Sequence, residues 1–242
     1  MMEPAITVKE LFINYKYANK RSLTSALKFW KKKDAKSFSA VRGISFEVPK
    51  GGILGIIGKN GSGKSTLLRA IAGIFSPDKG SIDLHGHSVS LLSIGVGFNK
   101  ELTGRENILL SGLLLGFSEE EVQAKTDAIV EFAELGEFID RPVKTYSSGM
   151  HSKLSFSITA ILETDIMLVD EVLSVGDAKF KKKSFEKMKD LIMDQNRTVI
   201  IVSHNIDTLK QLCDHVMWLH EGEIKMIDTP DAVLTPYMHF MQ

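Results

Sequence analysis

Three short, unbroken apolar runs stand out along the chain: Ile53 to Ile57, Ile166 to Val169 and Val199 to Val202. Runs of this length, rich in β-branched residues and ended by Gly, Asp or Ser, read as parallel strands buried on both faces, with their carboxyl ends turned toward a ligand. After the first run, Leu67, Leu68, Ile71, Ala72 and Phe75 share one helical face. Between the first and second runs, Ile108, Leu109, Leu113, Ile129, Phe132 and Ala133 recur at helical spacings. The block from Asn107 to Leu162 therefore reads as a helical subdomain, set at about residues 98–162. Toward the end, Met217 to Met226 reads as two strands joined at the turn signal Glu221-Gly222. The pattern predicts an α/β fold organised as a single domain over 1–242, with no internal repeat.

Composition narrows this picture. The chain has 242 residues, 43% of them hydrophobic, enough to build a buried core. Its longest apolar runs fall far short of the ~20 residues of a membrane-spanning helix, so no span is expected. The opening MMEPAITVKE has an early acid and no apolar stretch before a cleavage site, which predicts no secretory signal and a cytosolic chain. The single cysteine, Cys213, can form no internal disulfide and is expected as a buried thiol. Thirty basic and thirty acidic residues cancel, which argues against a nucleic-acid binder. The balance is uneven, however: residues 16–36 hold eight lysines and arginines against Asp34 alone. There Leu23, Leu27 and Trp30 fall at i, i+4 and i+7, with Lys28, Lys31 and Lys32 around the turn. This spacing predicts a short basic amphipathic insertion, about residues 18–38, suited to an anionic membrane surface.

The candidate chemistry lies where the three runs end. Gly58-Lys-Asn-Gly-Ser-Gly-Lys-Ser65 fits G-x-x-x-x-G-K-[ST], whose backbone amides wrap phosphates at a helix N-terminus. Gly58, Lys59, Asn60, Gly61, Ser62, Gly63, Lys64, Ser65 and Thr66 are the expected ATP-binding set. Lys64 should reach the β and γ phosphates and Ser65 should bind Mg²⁺. Asp170, closing the second run, is the second expected Mg²⁺ ligand, and Glu171 the group that orients and activates the attacking water. His204 follows the third run and is placed to donate to the γ-phosphate. A GTPase would carry an Asn-Lys-x-Asp guanine motif, which is absent.

These motifs stand in the order and spacing of the nucleotide-binding domains of ABC transporters, which the chain resembles over residues 5 to 230. Tyr146-Ser-Ser-Gly-Met150 is similar to the family's signature motif, and Ser174-Val-Gly-Asp177 to its D-loop. The resemblance implies a P-loop NTPase core with an antiparallel β portion and an inserted helical subdomain. It also implies that Tyr15 stacks on adenine, and that two copies close head to tail on two ATP molecules. Ser147, Ser148 and Gly149 of one copy would then face the ATP of the other, and Asp177 would be the D-loop residue. The expected activity is ATP hydrolysis with Mg²⁺. The expected partners are a second copy, two copies of a polytopic permease subunit and the cytoplasmic face of the cell membrane. Repair ATPases split their halves with a long coiled coil, for which the roughly 80 residues between Lys64 and Ser147 leave no room. One departure stands out: from Leu67 to Val122 there is no glutamine, where the family has one that links metal and permease. The stretch Ser93 to Thr103 should cover that role.

Leu102-Thr-Gly-Arg-Glu-Asn-Ile108, the Tyr-Ser-Ser-Gly-Met form and the insertion before the phosphate loop resemble the branch that exports polysaccharides and teichoic acids on lipid carriers. Within that branch the likeness favours export of lipid-linked wall teichoic acid, with capsular polysaccharide or O-antigen as the alternative. Some O-antigen exporters append a carbohydrate-binding domain, which is not expected in a chain ending at Gln242.

Overall fold

A computed structural model of the protein describes residues 3–16, 37–92, 97–170 and 177–241. The amphipathic insertion falls almost wholly outside the described residues, as do Glu171 and most of the D-loop. Strands β1 (Pro4–Lys16), β2 (Ser37–Pro49) and β4 (Lys79–Asp83) form an antiparallel sheet in the order β2-β1-β4. Strands β3 (Ile53–Ile57), β5 (Val89–Leu92), β6 (Ile166–Asp170), β7 (Thr198–Val202), β8 (His215–His220) and β9 (Glu223–Asp228) form a second sheet. Its order is β5-β6-β7-β3-β8-β9, parallel throughout except for β9.

Alternation along each central strand supplies both faces of this sheet. Leu54, Ile56, Leu168, Ile200 and Val202 point to one side, where they meet β1, β2 and helix α1 (Lys64–Ile71). Ile57, Met167, Val169, Val199 and Ile201 point to the other, under helices α5 (Ala178–Ile192), α6 (Ile206–Leu212) and α7 (Pro230–Met241). Cys213 is buried on this second side, and burial, with the Asp214 carboxylate beside it, pushes its thiol up to about 12. Phe75, expected on the first helix, lies beyond it. Helix α1 ends at Ile71 because Gly73, at φ 72°, turns the chain out of the helix, and Phe75 packs back on the same core from outside.

Helices α2 (Gly104–Leu114), α3 (Glu119–Ala133) and α4 (Ser148–Leu162) build a third core around Ile108, Val122, Ile129, Leu154 and Ile158. Reciprocal capping boxes start α2 (Thr103 with Glu106) and α3 (Ser118 with Glu121), satisfying backbone donors that the helices leave open. Helix α4 belongs to two cores. Leu154, Ile158 and Leu162 face the helices, whereas Phe156 and Ala160 pack against the large sheet. That double burial explains why its pattern is apolar nearly all round.

Candidate functional site

The register of the central strands decides where the chemistry meets. Val202 pairs with both Asp170 and Ile56, so β3, β6 and β7 end level with one another. The phosphate loop, Asp170 and His204 therefore emerge along one edge, at the carboxyl end of a parallel sheet. They line a common cavity of about 420 Å³ with Tyr15 and Phe38, within the size range of small-molecule sites. Tyr15 and Phe38 are opposite one another at the end of the β1–β2 pairing, which brings the antiparallel sheet to the mouth of the cavity.

Close approach fixes the loop's glycines. A Cβ on Gly58 would strike the carbonyl oxygen of Leu219 in β8, and one on Gly63 the carbonyl oxygen of Ala40 in β2. Gly63 also sits at φ 103°, a left-handed conformation that disfavours side chains, and caps the start of α1. Lys64 is only 7% exposed, and its ammonium donates to the carbonyls of Gly58 at 2.7 Å and Lys59 at 3.0 Å. The positive charge is thus folded over its own loop at the positive end of α1, where an anionic phosphate is favoured. The Ser62 hydroxyl is buried with no hydrogen-bond partner and does not line the cavity. The Lys59 ammonium turns away and lies 4.5 Å over the ring of Phe240.

The Ser65 hydroxyl donates to Asp170 Oδ1 at 3.3 Å, joining the two expected Mg²⁺ ligands across 105 residues of sequence. Two protein oxygens of this kind suit Mg²⁺, which keeps waters and phosphate oxygens in its shell. Among the described residues no group of three or more His, Cys, Asp and Glu side chains could hold a metal by itself. The Ser65 and Asp170 oxygens fit a cation that arrives with a phosphate ligand. The Tyr15 hydroxyl meets the Thr66 hydroxyl at 3.2 Å, and its ring stands edge-on to Phe75 at 6.0 Å.

The signature residues lie elsewhere. Ser147 caps α4, its side chain accepting from the Met150 N–H at 3.2 Å, and both Ser147 and Ser148 are exposed. Neither they nor Gly149 line the phosphate cavity. Tyr146 anchors the approach to the helix: its hydroxyl donates to the Phe138 carbonyl at 2.7 Å and lies against Gly104, where a Cβ would collide with it. Asp177 caps α5 by accepting from the Phe180 N–H at 2.9 Å, and pairs with Lys153 of α4 at 2.6 Å. The Lys153 hydrogen bond, followed by that from Phe180, lowers the Asp177 carboxyl to about 2.

Several residues of this arrangement escaped the motif reading. Asn107 is fully buried and clamps the stretch before α2, donating to the carbonyls of Asn99, Leu102 and Thr103 and accepting from the Asn99 N–H. That loop in turn pairs with the approach to the signature, through Val143 N–H to the Leu102 carbonyl and Lys144 N–H to the Lys100 carbonyl, each at 2.9 Å. Phe98 of the glutamine-free stretch packs against His151, one turn into α4, with ring centroids 4.7 Å apart and planes tilted by 53°. Burial, helped by Lys100, holds His151 below the usual histidine range. The Leu-Thr-Gly-Arg-Glu-Asn segment carried this signal in sequence, since a buried Asn beside a helix cap has few other uses.

The sequence model of the ABC transporter family matches residues 41–174, just over half the chain. The O-antigen export system ATP-binding protein RfbB of Myxococcus xanthus is 45% identical over 205 residues, 85% of this chain and 47% of that protein. The teichoic acids export ATP-binding protein TagH of Lactococcus lactis is 46% identical over 210 residues, 87% of this chain and 45% of that protein. The chain thus spans about half the length of these two relatives. In fold it is similar to a dimeric ATP-binding cassette in a post-hydrolysis state bound to ADP and phosphate, with TM-score 0.70 and 20% identity over 93% of this chain and 98% of that one. With its motifs in order, its fold matched end to end and its sequence shared at this level, the chain belongs to the ABC transporter family of ATP-binding cassettes.

Proposed function

We propose that the chain is the ATP-hydrolysing, energy-coupling subunit of an exporter of lipid-linked polysaccharide or teichoic acid. The observation that carries this reading is the meeting of Lys64, Ser65, Asp170 and His204 around one cavity at the sheet edge. Lys64, the loop amides and the α1 N-terminus bind and orient the phosphates. Ser65 and Asp170 would hold Mg²⁺, which supplies charge neutralisation on the phosphate oxygens. Glu171, the next residue after Asp170, orients the attacking water and takes its proton. His204 donates to the γ-phosphate, and Tyr15 supplies the face for adenine.

The exposed signature residues lie outside this cavity, which supports a site completed by a second copy whose Ser147 and Gly149 reach the γ-phosphate. The permease partner fits the groove between the helical subdomain and the large sheet, a cavity of about 320 Å³ edged by Ile74 and Leu114, which are 46% and 61% exposed. Among the described residues no helix is long and apolar enough to cross a membrane, so the membrane path would come from that partner. For the cargo, wall teichoic acid is the first reading, from the sequence likeness and the TagH relative. O-antigen is the second, carried by the similarly identical RfbB relative.

Mg-ATP titration and steady-state ATPase assays of the wild type and Glu171→Gln test the enzyme reading. The variant should bind Mg-ATP as the wild type does while turnover falls by about 10²- to 10⁴-fold. Undiminished turnover would remove Glu171 from the reaction. Uptake of lipid-linked polymer by inverted vesicles holding the chain and its permease, compared for the two cargoes, separates the substrates.

A further inference from the structure

Helix α7 reaches the phosphate loop. Val233, Leu234 and Tyr237 bury one side of it against the large sheet, and Asp231 pairs with Lys210 of α6 at 2.7 Å. With the helix seated in this way, its last turn presents Phe240 to three rings or charges at once. The Phe240 ring lies 5.1 Å from Trp218, 5.0 Å from His220 and 4.5 Å from the Lys59 ammonium. Trp218 and His220 belong to β8, the strand beside β3, so the aromatic cluster sits directly behind the loop.

Lys59 matters because of its backbone. Its carbonyl accepts both from the Lys64 ammonium, which lines the cavity, at 3.0 Å and from the Ser62 N–H, which closes the turn of the loop, at 3.1 Å. A side chain held against the ring ties down the Cα from which that carbonyl extends. We propose that Phe240 is a positioning residue for the nucleotide: its ring draws the Lys59 side chain out of the cavity and thereby fixes the carbonyl that sets Lys64 and the turn at Ser62. The last turn of α7 is then part of the phosphate-binding apparatus, although no α7 side chain lines the cavity. This inference rests on the ATP-binding reading of the loop and deepens it.

The test is a double-mutant cycle on the full chain, with the dissociation constant for Mg-ATP measured by calorimetry. A partly exposed cation–π contact sets the expected size: Phe240→Ala and Lys59→Met should each weaken binding about two- to fivefold. Because both remove one contact, the double variant should be no weaker than the worse single. Phe240→Tyr keeps the ring and should retain wild-type affinity, while the double-mutant cycle with Lys59 separates the contact from helix packing. Met238→Ala, on the same helix and 37% exposed, should leave affinity unchanged. Fully additive losses, or wild-type affinity in Phe240→Ala, would overturn the proposal. Lys59→Met leaves α7 packing intact, so unchanged affinity in that variant overturns it even if Phe240→Ala unfolds. A wild-type chain that binds no Mg-ATP would bring down the nucleotide reading itself, and the positioning role with it.

Discussion

The phosphate loop and the signature segment are both helix N-termini rich in Gly and Ser, yet the fold treats them in opposite ways. The loop is walled by β2 and β8, whose carbonyls leave no space for a Cβ at Gly63 or Gly58, and its lysine is buried over it. The signature stands open: Ser147 and Ser148 are exposed at the start of α4, while the anchoring falls on Tyr146 behind them. A site built to hold a ligand by itself closes around it; a surface built to present donors to another molecule rigidifies its base and leaves its tip bare. The contrast is the one that the proposed two-copy site requires of its two halves, and it can be broken from either side.

The largest effect is expected at the closed half. Lys64→Ala removes the buried charge and should weaken Mg-ATP binding by about 10- to 10²-fold, the scale of one hydrogen bond to a charged group. Calorimetry on the isolated chain measures this, and retained affinity would deny the loop its role.

At the open half, Gly149→Glu should leave Mg-ATP binding by the isolated chain unchanged. An acidic residue in the first turn of α4 suits the helix but repels the γ-phosphate brought by a second copy. ATP-dependent dimerisation by light scattering, and steady-state turnover, should fall by about tenfold or more, in keeping with like-charge repulsion at a desolvated contact. If binding to the single chain fell as well, the two halves would not be separate.

A smaller effect is expected where the halves join, at Lys153 and Asp177. The Asp177 carboxyl is lowered from 3.8 to about 2, chiefly by the Lys153 hydrogen bond. A depressed carboxyl contributes stability above its ordinary value, and this is lost as pH falls through about 2. Lys153→Met should move the Asp177 midpoint back up toward 3.8, leaving the backbone N–H groups of Phe180 and Lys179 to hold it down. A carboxyl-carbon NMR titration reads this directly. An unmoved midpoint would show that the helix cap, and not the tie between α4 and α5, governs Asp177.

Much of this was legible in the sequence, and the reason is local. Ile53 to Ile57, Ile166 to Val169 and Val199 to Val202 are strands because a short apolar run is buried on both faces wherever it lies in a parallel sheet. The Gly58 to Ser65 loop is legible because its chemistry depends on backbone amides and on glycines at fixed offsets, which only one composition supplies. Phe75 was misplaced because periodicity continued past Gly73, where backbone conformation and not hydrophobicity ended the helix.

Tertiary structure decided everything that depends on which elements become neighbours. Sequence spacing said nothing of the level ends of β3, β6 and β7, which bring Ser65 to Asp170, because strand order and register are set by packing across the whole sheet. Nor did it join the loop before α2 to the signature, or Phe240 to Lys59, since each pairing closes a long stretch of chain around a core that exists only when folded. The sequence by itself determined which segments carry residue types suited to phosphate. The fold alone determined that the Gly58 to Ser65 loop is walled in while the Ser147 to Gly149 segment stands open, because only the assembled cores fix which helix ends are enclosed and which are exposed.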